Sequence, residues 1–162
     1  MATTTPEAIR DRAIAVIESL VPATDRALRF RSYRNEGGAD FQAWAEAHPA
    51  SAARRFQVRA DGATETPPVS NTDVEEHRCT LRILVAYPQS HRWGTGAALD
   101  RDDVLDQDTF AIDKALGMLG AANFTSPHPD ATWIEGSPVS RIVGGACDFV
   151  ELTLTYLYWR ER

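Results

Sequence analysis

Residues 146–159 read ACDFVELTLTYLYW, and apolar and polar side chains alternate along them almost without a break. A period of two predicts a β-strand whose two faces differ. The even positions carry the larger apolar side chains: Val150, Leu152, Leu154, Tyr156 and Tyr158. This pattern predicts that the even face lies on the core, against a helix expected at residues 104–119.

The length of this strand is also informative. At roughly 3.3 Å per residue it would extend over more than about 40 Å, whereas most strands have about five or six residues. A small domain can hardly cover both faces along that length. The odd face mixes threonines with Phe149, Leu157 and Trp159, so we expect part of it to contact another subunit.

Composition limits the class of protein. A chain of 162 residues with 43% hydrophobic content is expected to form one domain with its own core. No apolar segment follows a basic start and no stretch approaches 18 apolar residues, so we expect no secretory signal, no membrane span and a cytoplasmic start. Cys79 and Cys147 fall in predicted strands, which favours buried reduced thiols over a disulfide.

The net charge of -6 is unevenly distributed. Residues 1–60 carry nine basic and seven acidic side chains, whereas residues 61–148 carry six basic and fourteen acidic ones. Lys114 is the only lysine, and arginine suits fixed bidentate pairing with carboxylates between subunits, although high-GC coding would give the same bias. An acidic chain is a poor general nucleic-acid binder, which argues against sequence-specific DNA recognition.

Helix and strand signals occur along the whole chain. Caps, breakers and apolar spacing predict helices at residues 6–20, 40–48 and 100–119, and strands at residues 27–34, 54–60, 75–87, 132–135, 139–143 and 146–159. Clustered strands with few helices between them favour an α+β single domain with a mixed, mostly antiparallel sheet and helices packed mainly on one face.

A long loop is predicted at residues 61–76, which are rich in proline, threonine, glycine and acidic side chains. Hairpin connections usually have about two to five residues. A connection of this length therefore indicates either a functional projection or a mobile loop.

An acidic run at residues 100–108 is the nearest approach to a chemical site. Asp102 and Asp106 lie four positions apart on one helical face and could bind Mg²⁺ or Ca²⁺. Acids at a helix N-terminus also interact favourably with the helix dipole. A solvated or partner-facing helix start is the favoured interpretation.

Other catalytic signatures are absent from the sequence. The four histidines lack H-x-x-x-H and H-E-x-x-H spacing, and His77 with Cys79 would need about two further zinc ligands. Residues 136–138 lack the second glycine of a nucleophile elbow, and residues 93–96 match no phosphate-binding motif. We therefore expect no cofactor, no metal and no catalytic residue, although a triad assembled from distant segments stays open.

Arginines recur on one side of three predicted strands. If these strands are neighbours, the sheet exposes an arginine-rich face that needs acidic partners. With a separate acidic loop and helix start, this favours head-to-tail contacts, which form a ring where the rotation closes. The predicted subunit interface consists of Arg29, Arg31, Arg55, Arg59, Arg78, Arg82, Phe149, Leu157 and Trp159.

The order of these elements resembles tail terminator, or tail completion, proteins of long-tailed bacteriophages. The segments concerned are residues 41–44 (FQAW), residues 54–58 (RRFQV), the acidic loop, the strand ending at Pro88, the aspartate-led helix and the long last strand. The resemblance implies a mixed α/β fold and a hexameric ring that caps the head-proximal end of the tail tube. Such a ring stops polymerisation of the tube protein and offers a surface to the head connector.

The same resemblance implies a virion protein, assembled in the host cytoplasm, through which DNA passes without specific binding. The loop at residues 61–76 would then project toward the lumen or an axial partner, where its acids repel phosphate. These acids are Asp61, Glu65, Asp73, Glu75 and Glu76.

Three alternatives remain. Head-tail stoppers, adaptors and tail tube proteins are also small, β-rich and ring-forming. A metal-assisted hydrolase could use Asp102, Asp106 and a histidine. A monomeric binding module would place its partner on the exposed strand face.

Overall fold

The chain folds into helices and strands in the predicted order, with one additional short helix. A computed structural model describes residues 5–34, 38, 40–65, 74–94, 101–118, 132–136 and 140–161, and gives only the backbone of 61–65, 74–76, 117–118, 132–136 and 159–161. The helices are α1 (Pro6–Ser19), α2 (Phe41–Ala47), α3 (Pro49–Ala52) and α4 (Arg101–Asp113), which continues as a π-helical turn (Lys114–Met118). The strands are β1 (Arg31–Ser32), β2 (Arg55–Glu65), β3 (Val74–Pro88), β4 (Thr132–Gly136), β5 (Ser140–Val143) and β6 (Cys147–Glu161).

Local signals set the start of α1. The Thr5 side-chain oxygen accepts a hydrogen bond from the Ala8 backbone N–H (3.2 Å), and Pro6 occupies the first helical position. Proline is favoured there because its missing N–H would have no partner in the helix. The helix therefore begins at residue 6, as predicted.

The strands form one mixed sheet in the order β1-β2-β3-β6-β4, and β5 pairs with another part of β6. β1 and β2 run parallel, while the other pairs are antiparallel. The fold is α+β, as predicted.

Pairing between β3 and β6 is the longest feature of this sheet. Fifteen residues of each strand pair in one register, from Val74 opposite Glu161 to Pro88 opposite Cys147. At ~3.3 Å per residue, the paired strands are about 50 Å long. They form the axis on which the helices pack.

One face of the sheet carries the main core. The five even positions of β6 from Val150 to Tyr158 are all buried in it, as predicted. The helical side chains of this core include Ile9, Ala13 and Ile17 of α1 and Val104, Leu105 and Ile112 of α4. The Tyr156 hydroxyl donates to the Leu116 carbonyl (3.0 Å), which ties β6 to the π-helical turn.

A smaller core lies on the opposite face of the sheet, under α2. The Phe41 ring of α2 packs edge-on against Phe149 of β6 with centroids 6.1 Å apart, and Tyr33 and Trp44 complete this aromatic cluster. Phe149 is only 2% exposed. The expectation that Phe149 contacts another subunit is therefore wrong, because a helix of its own chain covers it.

The strand predicted at residues 27–34 is shorter than expected. Its regular pairing is confined to Arg31–Ser32. The Arg29 guanidinium donates to the Ser19 and Leu20 carbonyls at the end of α1 (3.1 and 3.0 Å). Arg29 thus satisfies helix carbonyls that lack an intrahelical partner.

β2 and β3 are longer than predicted. Asp61 and Glu65 lie within β2, and Glu75 and Glu76 lie within β3, so both ends of the predicted loop are strand. The pairing of β2 with β3 is irregular between Asp61 and Thr64. The remaining part of the loop, residues 66–73, lies outside the described residues and includes Asp73.

A side chain of α2 holds the turn that leads into β6. The Glu46 carboxylate accepts hydrogen bonds from the backbone N–H groups of Ala146 (2.5 Å) and Cys147 (3.3 Å). A Cβ on Gly144 would overlap a Glu46 carboxylate oxygen and the Cys147 carbonyl oxygen. Only glycine fits that close approach.

Both cysteines are buried and reduced, as predicted. Burial, together with the nearby charges of Glu46 and Asp148, raises the pKa of the Cys147 thiol to about 11. The thiol is therefore protonated, and poorly nucleophilic, near neutral pH.

Adjacent residues of β6 allow the assignment of its two faces to be tested. Leu154→Ala removes a side chain from the main core and should lower the free energy of unfolding by about 2–5 kcal/mol. Thr153→Ala, on the opposite face, should change it by less than about 0.5 kcal/mol. Urea unfolding followed by circular dichroism measures both, and equal losses would contradict the assignment.

Candidate functional site

The sheet face opposite the main core continues past α2 as a polar surface, here called the arginine face. Its side chains occupy odd positions of β2 and β6 and even positions of β3. They are Gln57, Arg59, Arg78, Thr80, Arg82, Leu84, Glu151, Thr153, Thr155 and Leu157. Because the three strands are neighbours, the arginines of β2 and β3 do share one face.

Two of these arginines have acidic partners in their own chain. Arg82 donates to both carboxylate oxygens of Glu151 (3.2 and 3.1 Å), and Arg59 lies 3.3 Å from Asp40. Arg59 and Arg82 are directly opposite in the register, where like charges repel unless acids compensate them. Sequence analysis expected carboxylates of a neighbouring subunit to pair with these arginines, but Asp40 and Glu151 of the same chain pair with them instead.

Arg78 lies farther along the arginine face than Arg59 and Arg82. It is exposed, and the described part of the chain offers it no ion pair. Its register partner on β6 is the half-buried Leu157, and the hydroxyls of Thr80 and Thr155 meet beside them at 3.2 Å. This part of the face therefore combines an available cation with an apolar side chain.

A groove of about 250 Å³ separates α2 from the arginine face. Its lining includes the Arg59 and Arg82 side chains and the apolar Leu84 and Ile142. Ile142 belongs to β5, which also exposes 73% of Val143. Apolar surface thus continues from the groove onto the edge strand.

Other residues of the predicted interface take different positions. The Arg55 guanidinium lies 5.3 Å from the centroid of the Trp44 ring and donates to the Ser32 carbonyl (3.3 Å). Arg31 is exposed on β1. Trp159 lies in β6 opposite Glu76, and its side chain is outside the described ones.

Beneath the main-core face, Arg54 and Asp108 form a buried ion pair that sequence analysis missed. The Arg54 Nε and Nη2 atoms donate to the two Asp108 oxygens at 2.7 and 3.1 Å. The two side chains are 0% and 2% exposed. The pair joins the start of β2 to α4.

The remaining donor atom of Arg54 binds the loop that follows α1. Its Nη1 atom donates to the carbonyls of Asp25 (3.1 Å) and Leu28 (2.9 Å), and its guanidinium lies 5.0 Å from the Trp93 ring centroid. Arg54 and Asp25 both adopt positive φ angles, +56° and +46°, which residues other than glycine rarely do. Several interactions therefore hold these two residues in a strained backbone conformation.

Tyr87 completes the buried cluster. Its hydroxyl donates to Asp108 (3.0 Å). Burial, followed by the Asp108 charge, raises the pKa of Tyr87 well above its ordinary value. Burial also raises the pKa of Asp108, against the opposing effects of Arg54 and the Tyr87 hydroxyl.

A signal for this cluster was present in the sequence. Asp108 lies four positions from both Val104 and Ile112, which are buried, so it belongs to the apolar stripe of α4. A carboxylate on such a stripe requires a buried cationic partner. Grouping Asp108 with the acids at the helix start obscured this requirement.

A second buried carboxylate, Asp148, connects α4, β5 and β6. It lies 2.9 Å from Arg101 and 2.6 Å from Arg141, and the Gln89 amide donates to it (3.2 Å). Arg141 also pairs with Asp102 (2.7 Å). This network anchors β5 to the start of α4.

Asp102 and Asp106 share one face of α4, but no described histidine joins them as a third metal ligand. Asp102 is engaged by Arg141, and Asp106 is exposed on α4. Among the described residues, no three histidine, cysteine or acidic side chains are grouped as metal ligands would be.

Comparison of the sequence with protein-family models and with curated proteins gives no match. In the part of the chain that the structure describes, no helix has both the length and the apolar character needed to span a membrane.

The buried ion pair can be tested with a double-mutant cycle. Arg54→Met or Asp108→Asn should each lower the free energy of unfolding by about 3–5 kcal/mol, because each leaves the other charge buried without its partner. The double variant should lose less than the sum of the two, by about 1–3 kcal/mol. The exposed pair of Arg59 and Asp40 provides the control, and its variants Arg59→Met and Asp40→Asn should show little coupling. Additive losses at Arg54 and Asp108 would contradict the interpretation.

Tyr87 should give the protein an alkaline sensitivity. Its pKa is raised in the folded state, so the folded protein keeps the phenolic proton that the unfolded chain releases near pH 10. Stability from this group is present at lower pH and is lost as the pH rises above about 10. Tyr87→Phe should therefore lose less stability than the unsubstituted protein between pH 8 and pH 11 in urea unfolding. Equal losses would exclude this contribution.

Proposed function

We propose that this chain is a structural protein of a bacteriophage tail, a tail terminator that forms a hexameric ring at the head-proximal end of the tail tube. There it stops tube polymerisation and joins the tube to the head connector. The proposal rests mainly on the exposure of the arginine face. The strands β3 and β6 are about 50 Å long, and α2 covers only one end of them, which leaves the arginine face for a neighbouring subunit. The resemblance in element order supports the same assignment.

The composition of the arginine face suits a protein contact. Arginine is enriched at interfaces, where its planar guanidinium pairs bidentately with carboxylates. Arg78 and Leu157 offer charge and apolar surface together, at a part of the sheet distant from α2. These two residues and Arg31, Arg59 and Arg82 are what remains of the predicted interface within the described side chains.

α4 supplies the acidic surface that a head-to-tail contact requires. Asp103, Asp106 and Asp113 are exposed on it. Because α4 covers the main-core face, these acids and the arginine face lie on opposite sides of the sheet. A contact between the two surfaces is heterologous, so it repeats from subunit to subunit and closes into a ring at the appropriate rotation.

The far ends of β2, β3 and β6 form an arm that carries the predicted lumen acids. Asp61, Glu65, Glu75 and Glu76 all belong to this arm. If the arm borders the lumen, its carboxylates repel the phosphates of DNA, which then passes without specific binding. The protein would reside in the neck of the virion, with the tube protein and the connector as axial partners.

Another neck component, such as a head-tail stopper, an adaptor or a tail tube protein, is the second candidate. Such a protein would use the same face for ring formation, and the element order favours the terminator. A metal-dependent hydrolase is disfavoured because the Asp102 carboxylate is engaged by the Arg141 guanidinium at 2.7 Å.

Assembly through the arginine face can be tested by the double variant Arg78→Glu/Leu157→Glu. It should remain folded and lose both the ring and the capping of purified tail tubes, because it places like charge on an acidic partner surface. Light scattering and negative-stain images measure both properties. Val21→Glu is the control, since Val21 is 48% exposed in the segment after α1 and belongs neither to the arginine face nor to the acidic surface of α4. Loss of rings in the control with retention in the double variant would overturn the proposal, as would a strictly monomeric parent protein that never binds tubes.

A further inference from the structure

A groove of about 610 Å³ lies beside the buried cluster, on a part of the surface distinct from the arginine face. Two loops form it, the one that follows α1 and the one that follows β3. The lining residues are Ala23, Thr24, Asp25, Arg26, Ala27, Leu28, His91, Arg92 and Gly94. The groove is large enough for several side chains of a short peptide.

The groove is cationic although the chain carries a net charge of -6. Arg26 and Arg92 are exposed in its lining, and neither forms an ion pair within the described residues. The Asp25 carboxylate is already engaged, since one oxygen accepts the Gly94 N–H (2.9 Å) and lies 3.8 Å from His91 Nε2. Two guanidinium groups therefore remain available for an anionic ligand.

The walls of the groove are held in place before any ligand arrives. Arg54 binds the carbonyls of Asp25 and Leu28 on one loop and stacks on Trp93 of the other. Both loops are thus tied to the same buried guanidinium. Preorganisation of this kind reduces the entropy that binding costs.

We propose that this groove binds a peptide segment that carries carboxylates, held by Arg26 and Arg92. Arginine forks match carboxylates, and the groove wall of Ala23, Ala27 and Leu28 accommodates the apolar parts of a peptide. Nucleic acid fits less well, because a long polyanion would meet repulsion from the acidic remainder of the chain. The site requires no ring and is therefore independent of the proposed tail function.

The test uses the full chain and a fluorescein-labelled, N-acetylated pentaglutamate peptide, with fluorescence anisotropy at low salt. The double variant Arg26→Gln/Arg92→Gln should weaken binding by about tenfold or more. The control Arg12→Gln/Arg34→Gln changes the net charge equally, at exposed residues outside the groove, and should change the dissociation constant by less than about twofold.

Three results would overturn the site. One is the absence of peptide binding at millimolar concentration, and another is equal loss in the groove variant and its control. The third is an oligothymidylate that binds as tightly as the peptide and depends on the same two arginines, because the groove would then be a phosphate site. An oligothymidylate that binds more weakly, or without dependence on these arginines, supports the peptide assignment.

Discussion

The buried pairing of Arg54 with Asp108 is the interaction on which the arrangement of the other elements depends. Removing a guanidinium and a carboxylate from water costs several kcal/mol, and their attraction offsets this cost only when the remaining hydrogen-bonding groups are satisfied. Arg54 meets that condition with both Asp108 oxygens and two loop carbonyls. Because these acceptors belong to α4 and to the loop after α1, one side chain sets the position of both against the start of β2.

The unequal lengths of helices and strands explain which surface is left for a partner. On the main-core face, α1 and α4 pack on the sheet, and the π-helical turn that continues α4 reaches Tyr156. On the other face, α2 has seven residues and is about 10 Å long, beside strands of about 50 Å. Among the helices that the structure describes, none covers the arginine face beyond α2. A mismatch of lengths, rather than a chemical motif, is therefore the physical basis for the assembly function proposed above.

Patterns that depend on local geometry were readable from the sequence, and those that depend on tertiary contacts were not. Alternation identified β6 and its buried face, and the cap at Thr5 placed the start of α1. Periodicity cannot show which parts of the second face a helix covers, so Phe149 was assigned to a subunit contact. Arg29 and Arg54 lie in a run of similar arginines, and only the folded chain distinguishes a helix cap and a buried ion pair from a solvated strand position.

The long pairing of β3 with β6 has a consequence for the order of folding. Its paired residues are 59 to 87 positions apart in the chain, whereas β2 and β3 are neighbours in sequence. Closing such long loops is slow, so the β2–β3 hairpin can form well before β6 arrives. During that interval β3 presents an open edge to the solution, where a strand from another molecule can take the place of β6. Crowded synthesis would therefore favour strand exchange between copies, and dilution or slow synthesis would favour pairing of β3 with β6 of the same chain.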